Sequence, residues 1–137
     1  MNRTAKRHQK QLARKTAIKH RGARSRLFRQ VVGLIDAGRL SDVIQDGMRC
    51  HIAGRLQDAE TLYRRVLDAD PDHADANHLL GGVAHQVGNH RQAVELISRA
   101  IEAAPDEPIY HFNLGTVYQA MERPEDAAAS YREAVAL

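Results

Sequence analysis

A spacing of 34 residues runs through most of this 137-residue chain. Leu80-Gly81 returns as Leu114-Gly115. Ala59, Ala93 and Ala127 keep the interval, and Tyr63, Ile97 and Tyr131 follow each alanine by four residues. Pro71 and Pro105 share it, as do Gly47, Gly81 and Gly115. Five columns with one period restrict the fold more than any other property of the chain, because a repeated unit must pack on copies of itself.

Each unit reads as two helices and a tight turn. In the middle unit the spacing predicts helices over 74–87 and 90–103 with Gly88-Asn89 between them, Gly88 supplying the left-handed residue that closes a helix. Gly54 marks the equivalent turn in the first unit. Glu122-Arg123-Pro124 does so in the third, with Pro124 suited to a first helical turn. Pro71 and Pro105 stop the second helix of their units. The small columns, Gly81/Gly115 and Ala93/Ala127, fall where two helices cross closely. Composition agrees: apolar residues make up 43%, but aromatics only 4% with no Trp, so the core is built from Ala, Leu, Val and Ile. No alternating strand-like run is present. The expected fold is all-α, a helix-turn-helix solenoid.

These residues resemble the tetratricopeptide repeat (TPR) family, whose pattern is an aromatic, Leu-Gly, Tyr, then Ala, an aromatic and Pro. The third unit matches with His111, Leu114, Gly115, Tyr118, Ala127 and Tyr131. The second matches with Asn77, Leu80, Gly81, Ala84, Ala93, Ile97 and Pro105. The first, with Val43, Asp46, Gly47, Cys50, Ala59, Tyr63 and Pro71, departs most, since Asp46 stands in the Leu column. The resemblance covers about residues 40–137, divided 40–73, 74–107 and 108–137.

The resemblance implies a concave groove lined by the first helix of each pair. Carried over by period, its partner-binding positions are Ile44, Met48, His51 and Ile52 in the first repeat. In the second they are Asp75, His78, Gly82, His85 and Gln86. In the third they are Ile109, Phe112, Asn113, Thr116, Gln119 and Ala120, Asn113 standing where some arrays grip a peptide backbone. No Lys or Arg is among them, which argues against the carboxylate clamp of chaperone-binding TPRs and for an extended or helical peptide with apolar and amide contacts. The implied function is a protein–protein interaction scaffold. A second expectation is a substrate-presenting front segment of a larger bacterial protein similar to O-linked N-acetylglucosamine transferases, methyltransferases or sulfotransferases. Any catalysis would then lie beyond Leu137. The last helix has no capping helix after it, so the expectation is either that the natural chain continues or that a partner or second copy covers the open end.

Before the repeats the chain is strongly basic. Residues 1–30 contain eleven Lys and Arg, among them Arg3, Lys6, Arg7, Lys10, Arg14, Lys15, Lys19 and Arg21, and no acid. The remainder holds nine Arg and all 17 acids, so an arm of +11 is joined to a body of −8. Residues 1–24 read as this arm, either a solvated helix or disordered. Phe28, Val31, Val32 and Ile35 put an apolar stripe on a capping helix over 25–39, ended by Gly38. The arm attracts phosphate backbones and anionic surfaces, which makes nucleic-acid or ribosome association a further alternative. It lacks aromatics for base stacking.

Other chemistry is weakly supported. His78 and His85 share a helix face but stand seven residues apart, roughly 10 Å of rise, too far to share an ion. No metal site and no cofactor are expected. No nucleophile has a matched base, Leu80-Gly81-Gly82 is a repeat column and not a phosphate loop, and Glu60 with Arg64 is a solvated i,i+4 pair. Cys50 occupies the Tyr column and reads as packing. A single cysteine, no apolar run of about 18 residues and no secretory h-region point to the cytoplasm.

Overall fold

A computed structural model describes residues 5–7, 9–11 and 38–137. The chain divides into two compact units, Met1–Arg39 and Leu40–Leu137. Of the first, residues 5–7 and 9–11 are helical and exposed, so Lys6, Arg7 and Lys10 meet solvent. Arg3, Arg14, Lys15, Lys19, Arg21 and the stripe Phe28–Ile35 lie outside the described residues. Gly38 does not end a helix as the sequence suggests. It is helical, in a run that continues through residue 52. The reason is the apolar spacing that follows, since Leu40, Val43 and Ile44 all reach the core and carry the helix onward.

The second unit is an all-helical solenoid of three helix pairs, with no strand among the described residues. We label the helical run 38–52 α1. It is followed by α2 (Leu56–Ala69), α3 (Ala74–Gln86), α4 (His90–Ala103), α5 (Pro108–Ala120) and α6 (Pro124–Ala136). Each helix packs on the next in sequence from α2 onward, and α3 also touches α5, as expected when consecutive pairs stack in one direction.

Within every pair the turn has one design. The backbone N–H of Arg55, Asn89 and Arg123 reaches back to the carbonyl of Cys50, Ala84 and Tyr118, at 2.9, 2.8 and 2.9 Å. That bond closes a Schellman turn and needs a left-handed residue just before the donor. Gly54 and Gly88 supply it with φ of 77° and 84°, and in the third repeat Glu122 is forced to φ 57°. Asn89 then caps α4 by accepting from the Gln92 N–H, while Pro124 fills the first turn of α6.

The glycine column explains how the helices of a pair come together. A Cβ on Gly47 would lie 2.6 Å from the Tyr63 ring, on Gly81 2.7 Å from Ile97 Cγ1, and on Gly115 2.7 Å from the Tyr131 ring. The glycine of the first helix is thus the seat for the large residue of the second, 16 positions later. Ala59, Ala93 and Ala127, one turn before the large residue on the same helix face, are buried beside it. The core joins Tyr63, Val66, Leu80, Val83, Ile97 and Val117 into one cluster, and Cys50 sits buried at its edge as its column implied.

Turns between pairs are pinned by the leading column. Asn77 donates to the carbonyl of Pro71 at 3.0 Å, and His111, one period later, donates through Nε2 to the carbonyl of Pro105 at 2.9 Å. Polar side chains where the family often has an aromatic therefore hold the loop that the proline starts.

Candidate functional site

The first helices of the pairs, α1, α3 and α5, lie side by side and are linked by hydrogen bonds between side chains 35 residues apart. Gln86 Oε1 accepts from His51 Nε2 at 2.8 Å, joining α3 to α1. Asn113 Nδ2 donates to His78 Nε2 at 2.6 Å, joining α5 to α3. The Tyr110 hydroxyl donates to Asp75 Oδ1 in a short bond between the same two helices. The offset of one repeat plus one residue follows from helix geometry. Neighbouring first helices are parallel, and a side chain meets the residue just past its own equivalent on the next helix.

The ladder fixes tautomers. Gln86 Oε1 can only accept, so His51 carries its proton on Nε2 and leaves Nδ1 facing the Tyr63 hydroxyl at 3.5 Å. His78 must be neutral to accept from Asn113. Burial holds its pKa below the ordinary value, and the nearby charge of Asp75 only partly opposes that. Burial also raises two phenols. Tyr63 is pushed up to about 12, mainly by burial and further by Cys50. Tyr110 goes higher still, by burial first and then by its bond to Asp75.

Around this polar ladder stand exposed apolar side chains. Ile52 is 87% exposed, Phe112 51%, Ile109 50% and Met48 41%. Phe112 packs against Tyr131 of α6, ring centroids 5.5 Å apart, and Tyr131 in turn donates to Gln119 at 3.1 Å and faces Thr116. Phe112 is therefore both exposed and propped from behind. Gly82 leaves a gap in the middle of the face, with His51 3.6 Å from where its Cβ would be. Gln86 and Ala120 are also exposed. One expected groove residue is misplaced: Ile44 is only 8% exposed and belongs to the core cluster. At its position in the first repeat an aliphatic side chain turns inward, whereas His78 and Phe112, its equivalents, remain reachable.

His85 meets a residue that the periodicity did not pair with it. Its Nδ1 lies 3.1 Å from Nδ1 of His90, across the α3–α4 turn, and the ring centroids are 5.1 Å apart. Burial, and then the proximity of His90, hold the His85 pKa below its ordinary value. Tyr110, Tyr131 and His90 are the site residues that sequence reasoning did not find. Tyr110 breaks its own column, whose other members are Asp42 and Ala76. Counting at 35 as well as 34 would have matched Asp75 to Tyr110, but only once the parallel packing of first helices was assumed. Among the described residues no group of three His, Cys, Asp or Glu side chains converges as a metal cage, and no helix is long and apolar enough to cross a membrane.

Comparisons with known proteins agree with this architecture. Two profiles, both for the tetratricopeptide repeat, match residues 51–114 and 109–137. A TPR repeat-containing protein of Bacillus subtilis, YpiA, is 27% identical over 81 residues, covering 59% of this chain. The chain spans only about a fifth of that relative, 19% of its length. Among solved structures, an O-GlcNAc transferase of Thermobaculum terrenum superposes with a TM-score of 0.71 at 32% identity, over 73% of this chain and 19% of the transferase. MamA superposes at 0.67 with 21% identity, over 71% of this chain and 57% of MamA. The type III secretion translocator chaperone SycD of Yersinia enterocolitica gives 0.67 at 15% identity, over 69% of this chain and 72% of SycD. The last two likenesses concern the fold alone.

Proposed function

Because the chain belongs to the tetratricopeptide repeat family, a family of protein-interaction modules, we propose that the face formed by α1, α3 and α5 binds a peptide segment of a partner protein. The observation that carries this reading is the combination on one face of exposed Met48, Ile52, Ile109 and Phe112 with a hydrogen-bonded ladder of His51, Gln86, His78 and Asn113. Covering large apolar side chains that stand in water is favourable by about 25 cal/mol per Å2. Amide and imidazole groups already set in place by their neighbours can pair with a peptide backbone without further ordering.

The binding chemistry is apolar contact and neutral hydrogen bonding. Asp75 is the one ionised side chain expected on the face, and its carboxylate already accepts from Tyr110. A carboxylate-terminated peptide therefore has no cationic grip here. The chain acts without catalysis of its own, in the cytoplasm, where the buried thiol of Cys50 stays reduced. The basic arm supplies a second, salt-sensitive contact with polyanions.

A second reading is favoured by one comparison. The 32% identity to the O-GlcNAc transferase segment supports a module that presents substrate to a catalytic domain in a longer protein. Both readings place the peptide on the same face.

Selection of peptides from a random display library, followed by fluorescence anisotropy on the winners, tests the proposal. Phe112→Ala should weaken the selected peptides at least tenfold, the effect of losing one anchor worth about 1.4 kcal/mol or more. Val135→Ala, exposed on α6, should leave them unchanged. Peptides that bind the Phe112 and Ile109 variants as tightly as the unaltered chain would overturn this reading.

A further inference from the structure

The pairing of His85 with His90 lies at the elbow of the second repeat. His85 is in the last turn of α3, and His90 is the first residue of α4. Between them Gly88, at φ 84°, and the bonds from Gly88 and Asn89 back to His85 and Ala84 fix the turn. The two imidazoles are thus held by backbone that is already closed, and both rings are part-exposed.

We propose that His85 and His90 form a two-imidazole chelate for a first-row transition-metal dication of the Zn2+, Ni2+ and Cu2+ class. The geometry is that of adjacent ligands on one ion. Two nitrogens 3.1 Å apart, each at about 2.0–2.1 Å from a metal, subtend about 98° at it, between the octahedral and tetrahedral angles. Rings whose Nδ1 lone pairs converge on such an ion have centroids about 5 Å apart, and the observed separation is 5.1 Å. Small rotations about the side-chain bonds turn the present hydrogen-bonded arrangement into a convergent one.

The protons balance without outside chemistry. Between two neutral imidazoles, one Nδ1–H donates to the other Nδ1. When the ion binds, the donor ring of this part-exposed pair shifts its proton from Nδ1 to Nε2 by exchange with water, and both Nδ1 lone pairs coordinate. Water fills the remaining positions. The donor set selects the metal class: two borderline nitrogens and no carboxylate suit zinc, nickel and copper, and offer little to magnesium or calcium. Spacing rules overlook this pair because ligands on one helix are sought at i,i+3 or i,i+4, whereas these are at i,i+5 across a turn.

His85 is one of the expected groove positions, but its ring pairs with His90 and not with the His51–Gln86 and His78–Asn113 ladder. His51 has both ring nitrogens engaged, with Gln86 and Tyr63, and His78 has its Nε2 engaged with Asn113, so they are the internal controls. Calorimetric titration of the full chain with Ni2+ and with Zn2+ should show one saturable equivalent that Mg2+ does not compete for. His85→Gln and His90→Gln should each weaken it at least tenfold, whereas His78→Gln should not. On the unaltered chain, Zn2+ should shift the ring nitrogen resonances of His85 and His90 and leave those of His51 and His78 in place, which removes any dependence on the variants folding. Absence of saturable binding, binding that survives both substitutions, or shifts at other histidines would overturn the proposal.

Discussion

Glu122 is the one described residue outside glycine with a positive φ. It stands 34 positions after Gly88 and 68 after Gly54, and the Schellman bond from Arg123 to Tyr118 forms there as in the other two turns. The fold therefore imposes a left-handed residue at this place whatever the side chain. A non-glycine residue in that conformation costs roughly 1–2 kcal/mol, part of which glycine gives back as lost chain entropy. Glu122→Gly should stabilise the array by about 0.5–1 kcal/mol, read as a higher urea midpoint at unchanged slope. His78 makes a second residue-scale prediction. Its folded pKa lies below the ordinary 6.5, mainly because burial disfavours the cation. Above pH 6.5 the ring is neutral in folded and unfolded chains alike, and its protonation does not affect stability. Below that value the unfolded chain takes up the proton first, so stability falls with pH until the folded pKa is passed. An NMR titration should place the His78 midpoint below 6.5, and Asn113→Ala should remove the amide that its neutral Nε2 accepts from.

At the scale of helices, the glycine seats differ in what they hold. Tyr63 and Ile97 are almost wholly buried, at 0% and 1% exposure, whereas Tyr131 is part-exposed at the end of the stack. A methyl group at Gly47 or Gly81 meets a side chain with nowhere to go, which costs about 1–3 kcal/mol. Alanine returns about 1 kcal/mol of helix propensity. Gly81→Ala and Gly47→Ala should therefore lower stability by about 1–2 kcal/mol. Gly115→Ala should be near neutral, because the Tyr131 ring can swing outward. Thermal unfolding of the three variants checks the order. This level of structure was open to sequence reasoning. The helix bounds of the middle repeat, the turn glycines, and the close crossing of two helices at the Gly and Ala columns all follow from a 34-residue period. Boundaries set by tertiary pull did not follow: Gly38 looks like a stop, but the apolar face of Leu40, Val43 and Ile44 overrides it. The face itself was only half legible. Period alone locates Phe112 and Ile109, but it treats Ile44 as their equal, because inward or outward turning of one side chain depends on local packing. His90 and Tyr110 were invisible for another reason, since their partners come from a neighbouring helix at an offset that the period does not contain.

For the whole molecule the governing feature is a division of charge between chain segments. The first thirty residues carry +11 and the rest −8, while the expected peptide face is nearly uncharged. Two kinds of binding with opposite salt behaviour are thus present in one chain. Phosphate contacts by Lys and Arg release counterions, so a complex made through about six of them weakens by roughly a thousandfold between 50 and 200 mM salt. Peptide binding to Phe112, Ile109 and the amide ladder involves no ion release and should change by less than threefold over the same range, salt acting only weakly on apolar contact. Removing residues 1–30 separates the two. The shortened chain should bind the selected peptides with unchanged affinity and should lose its affinity for a single-stranded oligonucleotide. Anisotropy titrations of both chains with both ligands, at two salt concentrations, provide the check. Equal peptide affinity at both concentrations and in both chains places recognition in the helical array. A peptide affinity that falls with salt, or with removal of the arm, would mean that the basic segment is part of the peptide site and that the uncharged face alone is insufficient.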